Sequence, residues 1–150
     1  MPPSIGASVV LALVGLTAGG LSALQAAVNG RLAGHTGTLS AVFISITVSF
    51  AAILAVGLVT RGPRTLSLTG VPPHLLLGGL AGLAFVGAIT YLAPRFGVTP
   101  TLVAAIAGQL LFAIVLDHFG ILRDTPIQLN LPRLLAVLLI LVAVPLSRAS

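Results

Sequence analysis

The 150-residue sequence has no cysteine, no tryptophan, no lysine and no glutamate. Without cysteine there is neither a disulfide nor a thiolate metal site. Charged residues make up 6% of the chain, against about 25% in a soluble domain. Such a chain cannot clothe a water-facing surface, so it is read as an integral membrane protein. Negative charge is the scarcest feature. Asp117 and Asp124 are the two acidic residues, and neither stands at the centre of an apolar run. A central carboxylate that binds a proton and a cation in turn is therefore not expected, which favours neutral, zwitterionic or anionic solutes. No nucleophile–base pair, phosphate-binding glycine loop or metal-ligand spacing occurs, so neither an enzyme nor a cofactor or metal site is expected.

What the chain has is apolar length. Hydrophobic residues make up 57%, and the mean hydropathy is +1.20. The net charge of +5 comes from seven arginines. On a soluble protein that balance would suggest nucleic acid. Here the arginines flank the apolar runs, where they mark loop ends, and no nucleic-acid partner is expected.

Five apolar runs stand out, roughly Ile5–Val28, Leu39–Val59, Leu75–Ala93, Leu102–Leu116 and Leu134–Leu146. Spanning a bilayer takes about 20 residues, with a range of about 17–25. The first three runs qualify as they stand. The fourth qualifies when counted from Thr99 to Phe119. The fifth is short, but Arg133 and Arg148 can snorkel from its ends. The runs are continuous rather than alternating, which disfavours a β-barrel. Met1-Pro2-Pro3-Ser4 carries no basic residue, and the first run exceeds a typical signal-peptide core, so a span is favoured over a cleaved leader. Turn-rich linkers are expected from Asn29-Gly30-Arg31, at Arg61-Gly62-Pro63-Arg64, at Pro94-Arg95-Phe96-Gly97 and at Arg123-Asp124-Thr125-Pro126. The expected fold is an all-α membrane protein with five transmembrane helices in a single domain over residues 1–150.

Gly15 with Gly19, and Gly78 with Gly82, form small-xxx-small pairs that permit close helix packing, although the same motif also serves plain compactness. The fifth run has no polar side-chain atom and reads as facing lipid or another subunit. Five spans place the termini on opposite sides. Arg61, Arg64, Arg123 and Arg133 then collect on the N-terminal side, and Arg31, Arg95 and Arg148 on the other. Orientation follows that bias, and four against three barely sets it. Insertion both ways would allow an antiparallel homodimer with its axis in the membrane plane, the symmetry of inverted-repeat transporters. The alternative is one orientation with a parallel dimer or none.

Ser22, Gln25 and Asn29 share one face of the first helix. Gln109 sits mid-run in the fourth, beside Gly108. An uncompensated amide costs several kcal/mol in hydrocarbon, so each needs a partner. Together these residues can line a cavity for a polar solute. Singly, each can be interhelical glue, worth about 0.6 kcal/mol per bond on average. By the run boundaries, Gln25 and Asn29 lie toward one end of their span while Gln109 is central, an offset that a solute or water would have to bridge unless the first helix starts later than Ile5. Asp117 and His118 close the fourth helix. They can couple proton or ion movement, or Asp117 can form an ion pair with Arg123 or Arg133. Tyr91 and Arg95, at the opposite end, read as a substrate contact or as interfacial anchors.

The stretch from Gly19 to Leu32, GGLSALQAAVNGRL, resembles the first-helix signature of the YdcZ-like family of the drug/metabolite transporter superfamily. Ala107-Gly108-Gln109-Leu110 and Leu116-Asp117-His118-Phe119-Gly120 resemble its fourth-helix motifs. The resemblance spans nearly the whole chain. It implies a five-helix unit that works as half of a transporter in a bacterial inner membrane. Such units occur singly, as oppositely oriented pairs or as fused repeats. Its motif residues carry over as Gln25, Asn29, Gln109, Asp117 and His118. The expected function is a secondary transporter subunit that moves a small polar solute across the lipid bilayer, as an antiparallel homodimer or a heterodimer with a paralogue. A non-transporting subunit of a larger complex and a passive channel are the alternatives.

Overall fold

The computed structural model describes residues 5–62, 67–121 and 127–148. Five α-helices and no strand occur among the described residues: α1 (Ile5–Thr36), α2 (Thr38–Arg61), α3 (Leu77–Phe96), α4 (Val98–His118) and α5 (Leu131–Leu146). A 3-10 turn, Pro73–Leu76, leads into α3. The first four helices are long and apolar enough to cross a membrane, and α5 is a shorter apolar helix of 16 residues. This is the expected all-α, five-helix membrane architecture.

The helix ends differ from the expectation. Two of the expected linkers, beginning at Asn29 and at Pro94, are largely helical. In hydrocarbon an unpaired backbone group costs several kcal/mol, whereas a glycine inside a helix costs only about 1 kcal/mol. The chain therefore stays helical through Gly30 and carries Pro94 inside the last turn of α3. The breaks fall instead on single glycines. Gly37 separates α1 from α2 at φ 82° and ψ 156°, and Gly97 separates α3 from α4 at φ 90° and ψ 154°. That region is open essentially to glycine alone. Each glycine carbonyl then accepts the first helical bond of the next helix, from Ala41 N at 3.0 Å and from Thr101 N at 3.4 Å. The remaining two expected linkers fall largely on residues 63–66 and 122–126, which lie outside the described residues.

The backbone groups into two units, Met1–Arg95 and Phe96–Ser150. In the first, Gly37 folds α2 back along α1. Asn29 lies eight residues before Gly37 and Ser45 eight after it, and the two side chains meet: Asn29 Nδ2 donates to Ser45 Oγ at 3.1 Å. By the same mirror Gln25, twelve residues before Gly37, is about level with Ser49, at the middle of α2. The far-end depth expected for Gln25 came from placing the end of α1 at Val28. With α1 running to Thr36, Gln25 lies deeper. α3 runs beside α1, and their backbones approach at Gly30, where an added Cβ would stand 3.4 Å from Pro94 Cδ.

In the second unit α5 returns along α4. At one end Arg133 Nη1 donates to Asp117 Oδ2 at 3.1 Å. At the other, the Arg148 guanidinium lies 5.4 Å from the Phe96 ring centre. Both arginines thus reach from the ends of the short helix. Asn130 caps α5 by accepting from Arg133 N at 3.1 Å.

Little of this is buried. Between 0% and 11% of each spanning window is enclosed by the chain. The enclosed apolar side chains are mostly small, such as Ala26, Ala41, Ala93 and Ala107. Close packing expected at Gly15, Gly19, Gly78 and Gly82 is not found within the chain: nothing among the described residues lies within 4 Å of a Cβ built there.

Candidate functional site

The polar stripe of α1 meets α3 across a narrow cleft. Ser22, Gln25 and Asn29 line it from α1, and Phe85, Ile89 and Thr90 from α3. The space is too narrow to admit a water molecule. Asn29 is buried and holds the stripe against α2 through Ser45. One of its two amide N–H bonds is thereby engaged, while its carbonyl oxygen makes no hydrogen bond. Gln25 is exposed on the single chain, and Ser22 is half-buried.

Thr90 did not figure among the residues picked out from the sequence. It is fully buried. Its Oγ1 is, among the described residues, the one buried side-chain polar atom without a hydrogen-bond partner. Leaving such a group unpaired costs about 1–3 kcal/mol. Pro94 adds to this, because a proline has no N–H to donate to the carbonyl four residues back, which is that of Thr90. Ser45 was also missed. The signal for it was the equal spacing of Asn29 and Ser45 about Gly37, visible only once the glycine is known to be the turn.

Tyr91 is exposed, and Arg95 lies over its ring at 3.6 Å from the centroid while donating from Nη1 to the Tyr91 carbonyl. One face of that ring is thus occupied by a cation, as suits an anchor at the end of a span.

In the second unit Gln109 is the twelfth of the 21 residues of α4, in the middle of the helix, and is exposed. Asp117 pairs with Arg133, one of the two partners considered for it; Arg123 lies outside the described residues. The side chains of Arg133 and Asp117 are 35% and 27% exposed. The Asp117 backbone carbonyl also accepts from Ile127 N at 2.8 Å, tying the segment before α5 to the end of α4. Below the ion pair, Leu110, Ala113, Ile114 and Ala136 line an apolar groove with about 190 Å³ open to water-sized occupants. His118 stands edge-on to the Phe119 ring, with centroids 5.1 Å apart. No group of three or more potential metal ligands occurs among the described residues.

The ion pair carries a test. Arg133→Leu takes one partner from Asp117 near the membrane edge. Removing one member of a fully buried pair costs about 3–5 kcal/mol, and exposed pairs about 0–1 kcal/mol. With both side chains about a third exposed, a loss near 2 kcal/mol is expected. Asp117→Leu combined with Arg133→Leu should recover most of it, read as the unfolding midpoint in detergent. Equal losses in the single and double variants would contradict a pairwise contribution.

A family model described as "Putative inner membrane exporter, YdcZ" matches residues 10–146. No curated protein and no solved structure matches the chain. The match reaches all five helices and includes both clusters of candidate site residues, so the chain belongs to the family of that description.

Proposed function

We propose that the chain is one half of a secondary transporter that exports a small polar solute. The single five-helix body over residues 1–150 would pair with a second copy in antiparallel orientation, or with a paralogue. The observation that carries this reading is the α1–α3 cleft. Three polar side chains of one α1 face line it, at about mid-depth of the α1–α2 pair. Gln109, in the middle of α4, supplies a second amide at the centre of a helix. An exposed amide in hydrocarbon costs several kcal/mol. Gln25 and Gln109 are both exposed on the single chain, which supports a water-lined path or a second protein surface over them. The open faces of Gly15, Gly19, Gly78 and Gly82 support close contact with another chain. Gln25, Asn29, Gln109 and Ser22 would bind the solute, with Tyr91 at the mouth. Asp117 and His118 would couple its movement to protons or ions.

Two measurements test the reading. A single cysteine placed at either terminus should be labelled in part from each side of the membrane. Labelling of every copy from one side only would reject the antiparallel homodimer. Gln109→Leu should reduce solute efflux from proteoliposomes at least tenfold, with the unfolding midpoint unchanged. Retained efflux would remove Gln109 from the site. Uphill efflux driven by an ion gradient separates the transporter from a passive channel.

A further inference from the structure

We propose that Thr90 is a solute contact and that the α1–α3 cleft is the closed state of a site for an uncharged, hydroxyl- or amide-bearing group of the solute. The inference rests on the transport reading of that cleft and adds a residue and a chemical class to it.

The first observation is a contrast within the chain. Thr17, Thr36, Thr60 and Thr101 each donate to the carbonyl four residues back, at 2.8, 3.0, 2.8 and 2.7 Å. This is the usual way a helical threonine satisfies itself in an apolar setting. Thr47 and Thr90 have the same opportunity, at Phe43 and Val86, and do not take it; Thr47 is exposed, whereas Thr90 is fully buried. Its hydroxyl is thus without a protein partner, in a cleft too narrow for water to supply one. The second observation lies in its own backbone. Pro94 cannot donate to the Thr90 carbonyl, so hydroxyl and carbonyl of one residue both lack the expected helix bond.

The third observation is the complement of groups facing Thr90. Asn29 gives one of its two amide N–H bonds to Ser45, which leaves the other N–H and the carbonyl oxygen as its free capacity. A hydroxyl that can donate or accept, beside an amide that can do both, suits a solute group that both donates and accepts. An alcohol or a primary amide does both. No residue lining the cleft carries a formal charge, and a buried ion without a counter-charge is disfavoured. The solute group placed here is therefore uncharged.

The chain has no native cysteine, so single cysteines report directly. In proteoliposomes, Thr90→Cys and Gln25→Cys are expected to react with 2-aminoethyl methanethiosulfonate at least tenfold faster than the lipid-facing Leu80→Cys. Reaction at position 25 and none at 90 overturns this inference and leaves the transport reading standing. Reaction at neither overturns both. Sorbitol should slow the Thr90→Cys reaction more than tetramethylammonium or malonate does. Equal protection by either ion, or none by sorbitol, overturns the uncharged class. Thr90→Val should unfold at the same temperature as the parent or higher, because the lost hydroxyl has no partner to leave behind. A lower midpoint, restored by Thr90→Ser, would assign the hydroxyl a structural bond instead and overturn the proposal.

Discussion

Gly97→Ala is expected to cost about 1–3 kcal/mol of stability, one of the two largest effects expected of a single substitution here. Gly97 sits at φ 90° and ψ 154°, a backbone conformation open essentially to glycine alone. A Cβ there would stand 3.4 Å from Pro100 Cδ, an ordinary contact, so the cost is backbone strain. Gly37→Ala is the matched case. Its backbone is nearly the same, at φ 82° and ψ 156°, and nothing lies within 4 Å of the added Cβ. It should lose about as much. The unfolding midpoint in detergent, followed by helical circular dichroism, should fall by a similar amount in both variants. An unshifted midpoint for Gly97→Ala would mean that the chain does not turn at that residue.

The second large effect is on export. Asn29→Leu should abolish it while costing little stability. The bond from Asn29 to Ser45 is interhelical and lies in a span. Bonds of that kind are worth about 0.6 kcal/mol on average and about 1.7 at most. Leucine is close to asparagine in size, so the packing around position 29 survives. A site built to hydrogen-bond a solute, in contrast, loses orders of magnitude when the bonding group is removed. The comparison with Ser45→Ala separates the two roles. That change removes the glue and leaves the Asn29 carbonyl in place, so polyol efflux from proteoliposomes should stay within about threefold of the parent, against a loss of at least tenfold for Asn29→Leu. Equal losses in both variants would reduce Asn29 to a packing residue.

The spans were legible in the sequence because a continuous apolar run has few other uses. The stripe of Ser22, Gln25 and Asn29 was legible from helical spacing alone. The helix ends were not. Asn29-Gly30-Arg31 and Pro94-Arg95-Phe96 carry the composition of a turn, yet both stay helical, because a membrane penalises an unpaired backbone more than a glycine or a late proline disturbs a helix. Thr90 and Ser45 were hidden for another reason. A buried hydroxyl in a transmembrane run usually satisfies itself on its own backbone, so nothing in the sequence marks a buried one that does not. The Asp117–Arg133 pair stood between. Its charges invited pairing, but bringing Arg133 to Asp117 needed the return path of α5.

A hairpin closed by one residue has no loop that could be threaded across a membrane by itself. During synthesis, α1 and α2 must therefore enter the bilayer as a pair, with Gly37 leading or trailing. The positive charge that travels with that tip is Arg31. Insertion is thus decided once for the hairpin rather than once for each span, and a single arginine added to or removed from the tip should weigh more than the same change at either terminus.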